Sequence, residues 1–80
     1  MEVTILAFGI AKDIFGGSEI SIDIEGEGSV KKLKATLEQQ YPQLKELASY
    51  MVAVNDEYAD DSLSITINDE IALIPPVSGG

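Results

Sequence analysis

One stretch of this chain repeats its apolar residues at helical spacing over several turns. Val30, Leu33, Leu37 and Tyr41 fall on one stripe, while Lys31, Lys32, Lys34, Glu38 and Gln39 fall away from it. Ser29 offers an N-cap hydroxyl, and Pro42 ends the pattern because the residue before a proline avoids the helical region. Gln43 to Ser49 allows a second, short helical segment, and Ala11 to Phe15 a single helical turn inside the loop Gly9 to Gly17. The remaining apolar runs have strand length. Ser18 to Glu25 alternates apolar and polar, which sets Ile20, Ile22 and Ile24 toward a core. Glu2 to Phe8 is dense in β-branched and apolar residues and reads as a central strand buried on both faces. Met51 to Val54, a brief edge strand at Tyr58, and Glu70 to Ile74 complete the set, with Leu63 to Ile67 returning toward the core. Asn55-Asp56-Glu57 is a turn, and Asn68-Asp69 a second one in which Asn68 can take the left-handed conformation. One long helix with a single apolar face must be buried against a sheet. The fold class is therefore α+β: a mixed sheet of four to five strands with one main helix packed on one face.

If the first and last strands pair in parallel, the crossover that contains the helix lies between them in sequence. The second face of the sheet is then left uncovered. Val3, Ile5 and Ala7 share one face of the first strand, and Leu6 and Phe8 the other; in the last strand Ile71 and Leu73 oppose Ala72 and Ile74. A sheet covered on one side has no reason to carry apolar residues on both. Phe8, Tyr58 and Ile74 are accordingly expected to form an exposed apolar patch of the kind that marks a partner site.

Composition narrows the functions open to such a chain. Eighty residues make one small domain that buries about 60 to 65 per cent of its unfolded surface. Cysteine and histidine are absent, which removes disulfides, thiolate nucleophiles, the usual zinc ligands and the side chain best suited to acid–base work near neutral pH. A free-standing enzyme is the least expected class. Fourteen acidic residues against five lysines give a net charge of −9, which argues against nucleic acid and anionic membrane and suits docking on a basic partner. No apolar run approaches membrane-spanning length and the start lacks a basic region ahead of a hydrophobic one, so a cytoplasmic protein without membrane association is expected. Asp56, Glu57, Asp60 and Asp61 do not follow the spacing of an EF-hand loop, and Gly26-Glu27-Gly28 near Lys31 and Lys32 lacks the rest of a phosphate-loop motif; no metal or nucleotide site is expected in this chain.

The end of the chain is the strongest functional signal. Residues 1–74 form the domain, and 75–80, Pro75-Pro76-Val77-Ser78-Gly79-Gly80, form an extended tail. Two prolines stiffen its start, and two residues without Cβ atoms finish it. Six extended residues reach roughly 20 Å at about 3.3 Å each, enough to carry an unhindered carboxylate into another protein's narrow cleft. The body is then the part that a partner recognises, and the carboxylate of Gly80 the working group.

At these residues the chain resembles a known family, the sulfur-carrier small subunits of molybdopterin synthase within the ThiS/MoaD group of ubiquitin-like β-grasp proteins. The resemblance covers essentially the whole chain. It rests on Ile5-Leu6-Ala7-Phe8-Gly9 with Lys12-Asp13, on Val52-Ala53-Val54-Asn55, on Asn68-Asp69-Glu70-Ile71-Ala72, and above all on Ile74-Pro75-Pro76-Val77-Ser78-Gly79-Gly80. A terminal Gly-Gly is shared by every ubiquitin-like carrier; Pro-Pro-Val-Ser-Gly-Gly is far more specific. The resemblance implies a chain that is not catalytic alone and binds no cofactor. An adenylyltransferase of the ubiquitin-activating type would use ATP to adenylate Gly80, and a sulfur donor protein would convert the adenylate to a thiocarboxylate. The large catalytic subunit, in a heterotetramer, would then pass that sulfur to cyclic pyranopterin monophosphate in molybdenum cofactor biosynthesis. Gly79 would let the tail pass the channel, Pro75, Pro76, Val77 and Ser78 would line its entrance, and Phe8, Lys12, Tyr58 and Ile74 would meet partners. Leu73-Ile74 stands where the family often has aromatic residues, and Asn68 where it often has glycine. Sulfur delivery to thiamin or another pathway, and conjugation as a ubiquitin-like protein modifier, share the same fold and terminus.

Overall fold

The computed structural model describes residues 1–47 and 49–75. Of the expected extended tail only Pro75 falls among them; Pro76, Val77, Ser78, Gly79 and Gly80 lie outside the described residues. The order is β1 (Glu2–Ala7), α1 (Ile10–Phe15), β2 (Glu19–Asp23), β3 (Gly28–Ser29) and α2 (Val30–Gln40). A 3₁₀ turn (Pro42–Glu46) follows, then β4 (Met51–Val54), β5 (Glu57–Tyr58), β6 (Ser64–Ile65) and β7 (Ile71–Ile74).

Five strands make one mixed sheet in the order β2-β1-β7-β4-β5. β1 and β7 run parallel, with Ile5 opposite Ile71 and Ala7 opposite Leu73. The other pairs are antiparallel. β7 is the middle strand, and β1 lies inside the sheet between β2 and β7, in keeping with its reading as a central strand. The expected burial on both faces is corrected: Val3, Ile5 and Ala7 are covered, while Glu2 and Thr4 are exposed and Leu6 is half-buried. Density of apolar residues does not separate a strand buried on both faces from one whose second face is apolar for a different reason.

The covered face meets α2. Val30, Leu33 and Leu37 are fully buried against Val3, Ile5, Ile22, Ile24, Val52, Val54, Ile71 and Leu73. Tyr41 at the end of the same stripe is half-buried and stacks edge-on to Phe15 of α1, ring centroids 4.8 Å apart. The Ser29 hydroxyl accepts the N–H of Lys32 at 3.2 Å and caps α2, and Pro42 opens the 3₁₀ turn that brings Leu44 into the core. No helix among the described residues is long and apolar enough to cross a membrane.

Two local features depart from the sequence reading. Gly28 and Ser29 pair with Ile65 and Ser64 in a separate two-stranded ribbon, where only a turn and a cap were expected. The glycine matters there: a Cβ on Gly28 would overlap Met1 Cε and come within 3.0 Å of Ile65 Cγ1. Ile65 alone of the Leu63 to Ile67 segment is buried, and Leu63 and Ile67 face outward. Asn68 does not adopt positive φ; Asn55 (φ 53°) and Asp56 (φ 70°) do. Val54 pairs with Glu57 across them, so they form a two-residue turn whose left-handed residues match the right-handed twist of the flanking strands.

The core predicts its own sensitivity. Leu37→Ala removes methyl groups from a fully buried position and is expected to cost about 2–5 kcal/mol. That is a large share of the roughly 4–12 kcal/mol available to a domain of this size. The midpoint of urea unfolding, with an unchanged slope, measures it.

Candidate docking face

The open face of the sheet can be read row by row from the register. Glu19 lies beside Leu6, Leu6 beside Ala72, Ala72 beside Ala53, and Ala53 beside Tyr58, one residue from each of the five strands. In the next row Ile74 lies beside Met51. Phe8 follows β1 at the same end, where β7 runs into Pro75. Phe8 and Met51 are each 48% exposed and Tyr58 65%, so no loop covers them. Leu6, Ala72 and Ile74 are half-buried. The face holds a notch of 290 Å³ lined by Leu6, Phe8, Ala53, Tyr58, Ala72 and Ile74, with Asp56 and Glu70 also on its wall.

The sequence-predicted partner residues fall as follows. Phe8, Tyr58 and Ile74 come together on this face. Pro75 begins the tail at its edge and packs by Gly9: a Cβ there would lie 3.2 Å from Pro75 Cγ. Gly9 has φ 57° and ψ −133°, a conformation open to glycine, and it turns β1 sharply into α1 beside the root of the tail. Lys12 sits exposed on α1 and does not line the notch; its carbonyl accepts the N–H groups of Gly16 and Gly17 and ends that helix. Met51, Ala53, Asp56 and Glu70 are part of the face although sequence reasoning does not assign them to it. Met51-Val52-Ala53-Val54 is apolar throughout, so the face that Met51 and Ala53 take is settled only by the pairing of β4 with β7.

One polar clamp holds the far end of the face. Asn55 donates its backbone N–H to the Glu70 carbonyl at 2.7 Å, accepts the Glu70 N–H on Oδ1 at 3.0 Å, and donates from Nδ2 to Asp69 Oδ1 at 3.0 Å. Asp69 Oδ2 accepts the Thr66 N–H at 2.7 Å. The bond from the Thr66 backbone, then that from Asn55, holds the Asp69 carboxyl below its ordinary value of 3.8. The unfolded chain binds this proton more tightly, so the stabilisation is complete above the ordinary value and is lost as pH falls through the lower folded-state value. Acid unfolding profiles of the chain and of Asp69→Asn are expected to differ: the variant is less stable near neutral pH and loses less stability between pH 5 and the acid limit. Parallel profiles contradict this.

Elsewhere the polar groups serve the fold. Lys34 Nζ pairs with Asp61 at 2.8 Å and lies 5.8 Å from the Tyr50 ring centre, and Tyr50 donates its hydroxyl proton to Glu38. Burial, followed by Glu38, pushes the Tyr50 phenol well above its ordinary value. Among the described residues no three His, Cys, Asp or Glu side chains are grouped to hold a metal.

A mixed sheet in this order, with one long helix across one face, is the β-grasp fold of ubiquitin-like proteins. The chain belongs to the ThiS family, whose pattern matches residues 5–80. It is 42% identical over 83 residues to the molybdopterin synthase sulfur carrier subunit of Dictyostelium discoideum, covering 99% of this chain and 96% of that one. Among solved structures it is similar to SAMP1 from Haloferax volcanii, with a TM-score of 0.83, 25% identity and full coverage of both chains. It is also similar to a chain in the complex of subunits 1 and 2 of the molybdopterin-converting factor from Helicobacter pylori 26695. There the TM-score is 0.69 and identity 28%, again over the whole of both chains.

Proposed function

We propose that this chain is the sulfur-carrier subunit of a molybdopterin synthase, working in the cytoplasm, and that Gly80 carries the sulfur. The Gly80 carboxylate attacks the α-phosphate of ATP on an adenylyltransferase of the ubiquitin-activating type, releasing pyrophosphate and leaving a glycyl adenylate. Sulfide-level sulfur from a donor protein then displaces AMP and leaves a thiocarboxylate. In the large catalytic subunit of a heterotetramer that sulfur passes to cyclic pyranopterin monophosphate. The chain needs no acid, base, metal or cofactor of its own for these steps; it needs a carboxylate without a neighbouring side chain and a body that partners can hold. Phe8, Tyr58 and Ile74 belong to that body's docking face, Lys12 flanks it, and Pro75, Pro76, Val77, Ser78 and Gly79 lead the terminus into the partner.

The observation that carries this reading is the end-to-end likeness to a named sulfur carrier subunit, in a family match that runs through residue 80. The apolar open face beside the root of the tail supports it, because a carrier must be recognised by more than one protein. The sulfur-loaded chain, mixed with the large catalytic subunit and cyclic pyranopterin monophosphate, is expected to yield molybdopterin. A loaded chain that yields none, with a subunit shown to be active on another carrier, overturns the reading. Likeness to SAMP1, a small archaeal modifier protein, favours a second reading in which Gly80 is conjugated to lysines. Isopeptide-linked adducts of the chain in lysate would separate the two.

A further inference from the structure

The notch on the open face has a shape and a charge pattern that together define its occupant. Its floor is Ala53 opposite Ala72, the smallest side chains of the face, between the larger Leu6, Phe8, Tyr58 and Ile74. The strands fix its direction. Phe8 and Ile74 stand at the end where β7 meets Pro75, and Asp56 and Glu70 at the other, because Val54 pairs with Ile71. Asn55 bonds to both backbone groups of Glu70 and precedes Asp56, so one residue ties the two acidic positions together. Both are exposed, neither is in an ion pair among the described residues, and none of the five lysines lines the notch.

We infer that this notch receives an arginine side chain of the protein partner, its aliphatic stem over Ala53 and Ala72 and its guanidinium between Asp56 and Glu70. The inference rests on the reading of this face as the dock for the large synthase subunit. An aliphatic or aromatic knob would fill the floor and leave two carboxylates stripped of water without a counter-charge. A lysine would present one point charge, strongly hydrated. A guanidinium has donors for both carboxylates, gives up water more easily, and stacks against a tyrosine such as Tyr58. Its stem covers the apolar floor while the head stays polar. The net charge of −9 draws such a partner in from a distance.

The test is calorimetric titration of the large catalytic subunit with the chain and with Asp56→Asn, Glu70→Gln, the double variant and Ala72→Leu, at low and high salt, with thermal unfolding of each. Asparagine tolerates the positive φ of position 56, so the acid variants keep the turn. Each acid variant is expected to weaken binding about tenfold or more at low salt. The double variant should also flatten the salt dependence, and Ala72→Leu should weaken binding by filling the floor while melting as the parent does. Affinity within about twofold of the parent and an unchanged salt slope in the double variant overturn the inference and leave the docking face standing. A dimer of the chain that Ala72→Leu dissociates assigns the notch to a second copy and overturns it too. Absence of binding by the unaltered chain removes the dock and the inference together.

Discussion

Adding one residue after Gly80 is expected to abolish sulfur donation while leaving stability within about 0.5 kcal/mol of the parent, the usual range for changes away from the core. The reacting atoms belong to the terminal carboxylate, and one more residue moves that group by about 3.3 Å. Displacements of about 1 Å in a reacting pair already cost on the order of 100-fold. A Cβ on the added residue would also widen the chain where it is narrowest. Molybdopterin synthesis in a reconstituted mixture, beside the melting temperature of the same preparation, reads both quantities. A fully active extension would show that the carboxylate of Gly80 is not the working group.

Ile74→Glu is expected to have the second largest effect. Ile74 lies on the open face beside Met51, and its neighbour Leu73 lies on the covered face at 0% exposure. Two consecutive residues of one strand therefore lie on opposite faces of the sheet. A charge at position 74 places an unpaired carboxylate at the centre of an apolar contact and should weaken binding to the large subunit about 30-fold or more, some 2 kcal/mol. Stability should change by less than about 1 kcal/mol, the range of strand preferences at half-exposed positions. Leu73→Ala should show the reverse, costing about 2–5 kcal/mol of stability. Titration calorimetry and urea unfolding of the two variants separate dock from core; equal loss of binding and stability in Ile74→Glu would place Ile74 in the core.

Much of this architecture is legible in the sequence because its signals are local. The stripe of Val30, Leu33 and Leu37, the Ser29 cap and the Pro42 stop define α2 without reference to anything distant. The alternation that separates Ile71 and Leu73 from Ala72 and Ile74 foretells a second apolar face, and Phe8, Tyr58 and Ile74 do meet there. What is not legible depends on partners far along the chain. Gly28-Ser29 pairing with Ser64-Ile65 is too short to have a period, and Ala53 becomes the floor of a notch only through the register that sets it opposite Ala72. The Asn55-Asp56-Glu57 turn is legible from its residues, but which asparagine takes positive φ is not: Asn55 and Asn68 share the intrinsic tolerance, and the tight β4–β5 hairpin decides for Asn55 and Asp56. Gly80 belongs to a different kind of signal: its meaning lies in its chemistry and in the family pattern that extends to it.

The most direct measurement is the intact mass of the purified chain after incubation with ATP, a sulfur source and an adenylyltransferase of the molybdopterin pathway. A shift equal to exchange of one oxygen for sulfur, localised by fragmentation to Gly80, is the predicted result. An unchanged mass, with the same enzyme loading another carrier in parallel, would contradict the account.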